Sequence, residues 1–194
     1  MTLVTDSPIA PIEHRRYLAG VTLVELMITV VVLSILLGLA VPAFRSFLQN
    51  DQQWTQQNNL VLSLNTARSE AIKNDLPGGV QVCSSTDGAT CTGTPWNQGW
   101  IVLPSVNVFG AGAPKPLQMI GTLPTGTTLT EANNNLTVSF LSNGALTPAA
   151  AVAFKMCDIR GAAFARYLQV TPMGRVVASP TVGRDLNGVA LTCP

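Results

Sequence analysis

The residue in the most unusual place for chemistry is Glu25, which lies near the start of an otherwise uncharged apolar run from Val21 to Val41. A single carboxylate in hydrocarbon costs about 2.5–3.5 kcal/mol on insertion scales, so a simple membrane anchor would not contain one. A buried carboxylate needs a partner or must take up a proton. The position of Glu25 therefore indicates a specific partner for this side chain.

The chain offers little for acid–base or nucleophilic catalysis. Its only histidine, His14, precedes the apolar run. If that N-terminal stretch is removed, Ser–His triads, Cys–His dyads and His-rich zinc sites are unavailable. Asp158 and Asp185 do not form a recognisable pair of catalytic carboxylates. We therefore expect no enzyme activity, no metal and no cofactor.

Four cysteines, Cys83, Cys91, Cys157 and Cys193, lie beyond the apolar run, and none belongs to a C-x-x-C pair. An even number of cysteines after a membrane-targeting segment favours two disulfides in an oxidising compartment over a zinc site. Four cysteines allow three connectivities. We favour Cys83–Cys91, which closes the short loop CSSTDGATC, and Cys157–Cys193, which holds the C-terminus.

The apolar run is long enough to cross a membrane. Its 21 residues would span about 32 Å as a helix, against a hydrocarbon core of about 30 Å. Arg15 and Arg16 precede the run, whereas Arg45 alone follows it closely. The positive-inside bias predicts a single pass with a cytoplasmic N-terminus and the remaining chain across the membrane. The formal net charge is only +1, which argues against a nucleic-acid binder on global charge.

Periodicity predicts one long helix followed by strands, an α+β fold in which the long N-terminal α-helix packs on a C-terminal antiparallel β-sheet domain. The helix is predicted over 21–74, with Gly38 and Pro42 as the places where it can bend. Apolar residues at helical spacing predict one apolar helical face, formed by Phe44, Phe47, Leu48, Trp54, Val61, Leu64, Ala67 and Ala71. Seven strands are predicted, and the stretches SVNVFGAGAPKP and PTGTTLTEANNN are expected to be loops. The strands are Val80–Cys83, Gly99–Leu103, Leu117–Gly121, Leu136–Leu141, Ala151–Cys157, Ala165–Thr171 and Arg175–Ala178.

The sequence around the start of the apolar run resembles a type IV prepilin leader. Leu18-Ala19-Gly20 is followed by Val21-Thr22-Leu23-Val24-Glu25-Leu26, and Pro42 lies at the offset where such pilins have a kinking proline. The resemblance implies cleavage between Gly20 and Val21 by prepilin peptidase and methylation of the new amino group on Val21. It also implies that Glu25 pairs with the N-terminal amine of a neighbouring subunit. The chain departs from the family in having Val21 where phenylalanine is usual, and in its long leader.

The later part of the chain resembles the pilin subgroup called GspH/FimT, to which FimT and FimU belong. The pattern comprises Ala67-Arg68-Ser69-Glu70-Ala71-Ile72, the Cys83–Cys91 loop around Asp87-Gly88, and Trp96-Asn97-Gln98-Gly99-Trp100. Cys157-Asp158-Ile159-Arg160-Gly161 and Gly174-Arg175 continue it. Trp96 and Trp100 are interpreted as core residues. The implied divisions are a leader (1–20), a transmembrane and assembly helix (21–42), its amphipathic continuation (43–76) and a periplasmic β-rich domain (77–194).

The resemblance implies a structural role rather than an activity. The first interpretation is a minor pilin that initiates or caps a type IV pilus, held in the bacterial inner membrane before assembly with other major or minor pilins. The second is a minor pseudopilin of a type II secretion system, and the cysteines favour the first.

A third interpretation is DNA binding in natural transformation. It would use five basic residues if several of them share one face. DNA-binding members of the group have a GRxR pattern, whereas this chain has Gly174-Arg175-Val176-Val177. The departure disfavours DNA as a partner. The five residues are Lys155, Arg160, Arg166, Arg175 and Arg184.

Overall fold

The computed structural model describes residues 20–76 and 78–193, without the side chains of residues 42 and 43. The predicted leader, apart from Gly20, and the basic residues Arg15 and Arg16 lie outside the described residues. The chain divides into two compact units between Arg45 and Ser46. One α-helix, α1 (Leu23–Lys73), contributes to both units, and the rest of the second unit is built from nine strands of the described chain.

The part of α1 in the first unit is apolar on all sides. Its described side chains from Leu23 to Val41 are exposed, and this segment makes α1 long and apolar enough to cross a membrane. Two hydroxyl groups within it bond back to the helix itself, Thr29 Oγ1 to the Leu26 carbonyl at 2.8 Å and Ser34 Oγ to the Val30 carbonyl at 2.7 Å. The hydroxyl groups of Thr29 and Ser34 are therefore satisfied without water, as hydrocarbon requires.

The part of α1 in the second unit packs through one buried face. Leu60, Leu64, Ala67 and Ala71 are almost fully buried there, and Gln53, Gln57 and Ser63 join them. Not every residue of the predicted apolar face is covered, since the side chains of Phe47 and Trp54 are 65% and 54% exposed. Helical spacing identifies which residues share a face, but it does not say whether that face is covered by the same chain.

The first sheet has five strands in the order β3-β2-β1-β5-β6. All its pairings are antiparallel, and β1 lies between β2 and β5 with Val82 opposite both Val102 and Val138. Alternation along β1 directs these apolar residues into the core. The strands are β1 (Val80–Ser84), β2 (Trp100–Pro104), β3 (Gln118–Ile120), β5 (Thr137–Phe140) and β6 (Leu146–Thr147).

The second sheet has four strands in the order β4-β7-β8-β9, all antiparallel. The predicted loop PTGTTLTEANNN contains β4, so that prediction was wrong. Leu129 and Glu131 on β4 are both buried opposite Met156 and Phe154 of β7, and this pairing outweighs the Gly- and Asn-rich flanks. The short β6 of the first sheet was also missed. The strands are β4 (Thr128–Glu131), β7 (Val152–Cys157), β8 (Arg166–Val170) and β9 (Val176–Ala178).

Two tryptophans lie in the core between the helix and the sheets, as predicted. Trp100 is fully buried and its Nε1 donates to Ser63 Oγ on α1 at 2.9 Å. Trp96, in a 3₁₀ turn (Trp96–Gln98), donates to the Asn135 carbonyl at 2.8 Å and meets the Phe154 ring edge-to-face at a centroid distance of 5.0 Å. Both indole N–H groups are therefore satisfied, which makes burial of these large side chains favourable.

A close approach of two turns joins the sheets beside α1. The turn after β5 contains Gly144 and the turn after β8 contains Gly174, and the Leu146 N–H donates to the Pro172 carbonyl at 2.9 Å. Arg68 of α1 donates through Nε to the Gly144 carbonyl at 3.1 Å. A Cβ at Gly174 would collide with the Gly144 carbonyl oxygen, and Gly174 has a φ of 75°. Glycine is needed at this position for both reasons.

Replacing Gly174 by alanine is expected to lower the free energy of unfolding by about 3 kcal/mol, because left-handed backbone and overpacking each cost about 1–2 kcal/mol. Gly188→Ala is the matched control, since Gly188 has a φ of 81° and nothing lies within 4 Å of an added Cβ. The control should cost about 1 kcal/mol. Urea unfolding of the detergent-solubilised chain, followed by tryptophan fluorescence, measures both, and equal costs would contradict the close approach.

Candidate functional site

The start of α1 is capped by a threonine next to the proposed processing position. The Glu25 N–H donates to Thr22 Oγ1 at 3.2 Å, and the Leu26 N–H donates to the Thr22 carbonyl at 3.1 Å. Thr22 is therefore the N-cap of α1, and Gly20 and Val21 precede the helix as exposed residues. Sequence reasoning missed this role of Thr22. The pattern Thr-x-x-Glu before an apolar run is the signal that identifies it.

Glu25 occupies the first turn of α1 with its side chain exposed. Its carboxylate forms no ion pair or hydrogen bond within residues 20–76 and 78–193. A carboxylate in the first turn interacts favourably with the N-terminal end of the helix dipole. The Thr22 cap and the helix dipole therefore stabilise the start of α1. The Glu25 carboxylate at this helix start is available to a cationic group. Gly38 and Pro42 both lie within α1, and a bend at them stays a prediction.

Two disulfides connect the cysteines in the pairs that we favour from their spacing. Cys83 on β1 joins Cys91 across a sequence separation of eight residues. Cys157 at the end of β7 joins Cys193 across 36 residues. The first closes a short loop, and the second ties the C-terminal segment to the second sheet. Disulfides generally form and persist in oxidising compartments.

The Cys83–Cys91 loop is organised around Asp87. Its carboxylate accepts hydrogen bonds from the hydroxyl and N–H of Thr90 at 2.6 and 2.9 Å, from the Ala89 N–H at 2.9 Å and from Ser85 Oγ at 2.9 Å. The Thr90 hydroxyl, followed by the two N–H groups and Ser85, holds the pKa of Asp87 well below its ordinary value. The Asp-Gly pair is therefore a turn element rather than a catalytic group.

The five basic residues of the predicted DNA contact do not share one face. Arg166 lies opposite Met156 across the β7–β8 pair, and Met156 is buried in the core. Directly opposed residues lie on the same face of a sheet, so the Arg166 side chain is on the core-forming face of the second sheet. Lys155 is adjacent in β7 and therefore lies on the other face. Arg175 lies in the turn beyond the far end of β8, and Arg184 donates to the Gly188 carbonyl at 2.6 Å. DNA contact at these residues stays the disfavoured alternative that the sequence indicates.

Arg160 and Arg166 are brought together against α1. Arg160 donates through Nη1 to Asn50 Oδ1 at 2.8 Å, and it donates through Nε and Nη2 to Asp158 Oδ2 at 2.8 and 2.6 Å. Arg166 lies over the Trp54 ring at 5.0 Å and donates to Gln57 Oε1 at 3.4 Å. Burial, and to a lesser extent repulsion from Arg160, lowers the pKa of Arg166. These two arginines connect the second sheet to the helix.

A polar cavity of about 390 Å³ lies on the other face of the second sheet, lined by Lys155, Tyr167 and the C-terminal segment at Thr192. Burial, together with the nearby Asp185, raises the pKa of Tyr167. Among residues 20–76 and 78–193, no three His, Cys, Asp or Glu side chains are grouped to hold a metal. The cavity therefore has the character of a hydrogen-bonding recess.

The helix, its exposed apolar beginning and the two antiparallel sheets, each with a disulfide at one of its strands, together define a pilin-like protein. The family model described as type II transport protein GspH matches residues 56–174, and the prokaryotic N-terminal methylation motif matches residues 15–41. The chain belongs to the GspH family. The subgroup indicated by its cysteine, tryptophan and arginine pattern is thereby confirmed.

Solved structures include relatives of this fold. The type IV minor pilin FimU of Pseudomonas aeruginosa (strain PAO1), in one crystal form, is 23% identical with a TM-score of 0.50, over 63% of this chain and 89% of that chain. A second crystal form is 22% identical with a TM-score of 0.48, over 66% of this chain and 92% of that chain. The first likeness supports the α+β fold. The comparison with curated proteins found no match.

The Asp87 loop is expected to make the free energy of unfolding depend on pH in the acidic range. Because the folded-state pKa of Asp87 is depressed, its contribution is complete above the unfolded-state pKa of about 3.9 and is lost as the pH falls further. The wild-type chain should therefore lose more stability than Asp87→Asn between pH 4 and pH 2. Urea unfolding at each pH measures this difference, and parallel losses in the two proteins would contradict the role of Asp87.

Proposed function

We propose that the chain is a minor pilin that is incorporated into a type IV pilus and acts at its initiation or tip. The observation that carries the proposal is the start of α1, where the methylation motif (residues 15–41) includes the beginning of a helix whose apolar side chains are exposed up to Val41. Exposed apolar surface of this extent needs either lipid or other protein. A subunit that leaves the membrane for a filament exchanges contacts with lipid for contacts with other protein subunits.

The proposed topology is a single pass through the inner membrane with the C-terminal domain in the periplasm. Arg15 and Arg16 ahead of the apolar run favour a cytoplasmic N-terminus. Two disulfides in the second unit fit an oxidising periplasm. Prepilin peptidase would act on the cytoplasmic side, and other pilins would be the partners after cleavage and N-methylation.

Glu25 has a physical role in this proposal. Cleavage after Gly20 would create an α-amino group on Val21, about one helical turn from Glu25. The carboxylate would be satisfied when it meets the corresponding amine of a neighbouring subunit. Because an uncompensated charge in hydrocarbon is costly, the pair would favour one register of docking over the others.

The second candidate is a minor pseudopilin of a type II secretion system. The description of the matching family model favours it, whereas the two disulfides lead us to prefer the pilus. Deletion of the gene distinguishes the two. Loss of twitching motility with normal protein secretion supports the pilus, and loss of secretion with normal twitching supports the secretion system.

Processing can be tested on the protein as purified from the membrane. N-terminal sequencing and intact mass should give a mature chain that begins with N-methylated Val21, because Gly20 ends the proposed leader. Gly20→Val should leave the full-length precursor in the membrane, since a branched side chain replaces the glycine at the cleavage position. Cleavage elsewhere, or unchanged processing of the variant, would contradict the assignment.

The role of Glu25 predicts a separation of insertion from assembly. Glu25→Ala should insert and be processed normally but be depleted in sheared filaments by about tenfold or more, because a charge pair at a desolvated interface is lost. Glu70→Ala, which removes a partly buried carboxylate paired with Lys73 on the same helix, is the control and should assemble normally. Immunoblots of the filament and membrane fractions give the ratio, and normal incorporation of Glu25→Ala would refute the assembly role.

A further inference from the structure

One side of α1 in the second unit receives the two arginines of the second sheet. Ser46 and Asn50 accept hydrogen bonds from Arg160, and Trp54 and Gln57 contact Arg166. These helix positions are four, four and three residues apart, so they lie along one face. We call the surface formed by Trp54, Gln57, Phe164 and Arg166 the Arg166 patch.

Arg160, beside this patch, has its charge compensated within the chain. Asp158 accepts from its Nε and Nη2 in a close ion pair in which both side chains are largely buried. The guanidinium also lies over the Phe164 ring at 4.3 Å. Its Nε and Nη2 both donate to the single oxygen Oδ2, and such charge-assisted hydrogen bonds are strong. Arg160 is therefore a positioning residue of the fold and is not available to a ligand.

Arg166 is different, because its charge has no compensation. No carboxylate of residues 20–76 and 78–193 lies within ion-pair distance of it, and its guanidinium makes a single long hydrogen bond, to Gln57 Oε1 at 3.4 Å. Its Nε is buried without an acceptor in that part of the chain. The nearest charge with an effect on it is that of Arg160, which is repulsive. A half-buried guanidinium in this state gains from an acceptor that the described chain does not supply.

The surroundings of Arg166 have the composition of a protein interface. Trp54, on which the guanidinium stacks, is 54% exposed, and Phe164 is 40% exposed. Ile159, in the same turn as Arg160, is 76% exposed. Tryptophan and arginine are the residues most enriched among the energetic centres of protein interfaces, where a rim of apolar contacts excludes water. A half-exposed tryptophan that already holds an arginine in place is preorganised for such a contact.

We propose that the Arg166 patch docks a carboxylate side chain, Asp or Glu, of a neighbouring subunit in the filament. The carboxylate accepts from the Nη groups of Arg166 while an apolar part of the neighbour covers Trp54. This inference rests on the proposed function, because the neighbour is a pilin. The proposed contact differs from the pairing at Glu25, because this chain supplies a cation, Arg166, instead of an anion, and because Arg166 lies in the second unit.

Charge explains why we choose a carboxylate of a protein rather than a DNA phosphate. Asp158 neutralises one of the two arginines of this surface, which leaves a single uncompensated cation. Lys155 lies on the opposite face of the sheet and cannot add to it. Nucleic-acid binding relies on several cations that contact successive phosphates. One cation beside exposed apolar side chains matches a protein partner.

Incorporation of the full-length protein into filaments tests the proposal. Arg166→Gln should reduce the ratio of filament-bound to membrane-bound protein by about tenfold or more, because the charge is lost. Arg166→Lys should give an intermediate ratio, since it keeps the charge without the planar fork. Arg175→Gln removes an exposed arginine outside the patch and should leave the ratio unchanged. Equal incorporation of all three variants would overturn the proposal.

A second measurement keeps the proposal testable if an Arg166 variant fails to fold. A photo-crosslinking amino acid at Ile159, which is exposed beside the patch and is not part of it, should join an otherwise wild-type chain to another pilin within sheared filaments, and the joined peptide should contain Asp or Glu. Changing that acidic residue to Lys in the partner should restore incorporation of Arg166→Glu. A crosslink to DNA, a crosslinked pilin peptide without an acidic residue, or no crosslink would overturn the proposal.

The Glu25→Ala variant separates this inference from the proposed function. If Glu25→Ala is depleted from filaments while Arg166→Gln is incorporated normally, the chain is a filament subunit and only the docking role of Arg166 fails. If wild-type protein is absent from the filaments, the proposed function itself fails.

Discussion

The structure depends on one constraint, which is that a single continuous helix meets two different environments. From Leu23 to Val41 its side chains are exposed, whereas from Gln53 to Ala71 one face is buried in a protein core. The first part is apolar on every side, as hydrocarbon requires. The second part is amphipathic, as a packed surface helix requires.

Polar contacts give the packing between the helix and the sheets its specificity. Ser63 holds the indole of Trp100 in the first sheet, and Arg68 holds the turn that contains Gly144. Asn50 receives Arg160 from the turn that follows the second sheet's central strand β7. Each of these contacts joins a polar group of the helix to one defined strand or turn. A purely apolar interface of the same area would tolerate sliding of the sheets along the helix, because hydrophobic burial is not directional.

Several elements could be predicted because their signals are local. The apolar run, the break after Lys73 and the strands with alternating apolar residues were predicted within a few residues of their observed bounds. The cap at Thr22 also has a local signal, which was overlooked. By contrast, β4 could not be predicted from Thr-Leu-Thr-Glu, since its strand conformation comes from pairing with β7 over a separation of more than 20 residues.

The exposure of Phe47 and Trp54 shows a second limit of prediction from sequence. Periodicity places them near the residues of the packed face, but only the position of the sheets determines which of them are covered. The same limit applies to the prediction of which charged side chains share a face. Sequence identified five cations as a possible group, and the alternation of β7 together with the register of β8 places Lys155 and Arg166 on opposite faces.

The sequence by itself determined the α+β class, the membrane-compatible helix start, the position of Glu25 and the pairing favoured for the cysteines, because each follows from composition or spacing along the chain. Only the tertiary structure decided which arginines are compensated and which one, Arg166, is not. The physical reason is that the charge balance of a side chain depends on neighbours distant in sequence. Asp158 compensates Arg160, and the register of β8 places Arg166 beside Trp54 and away from any carboxylate in the described residues.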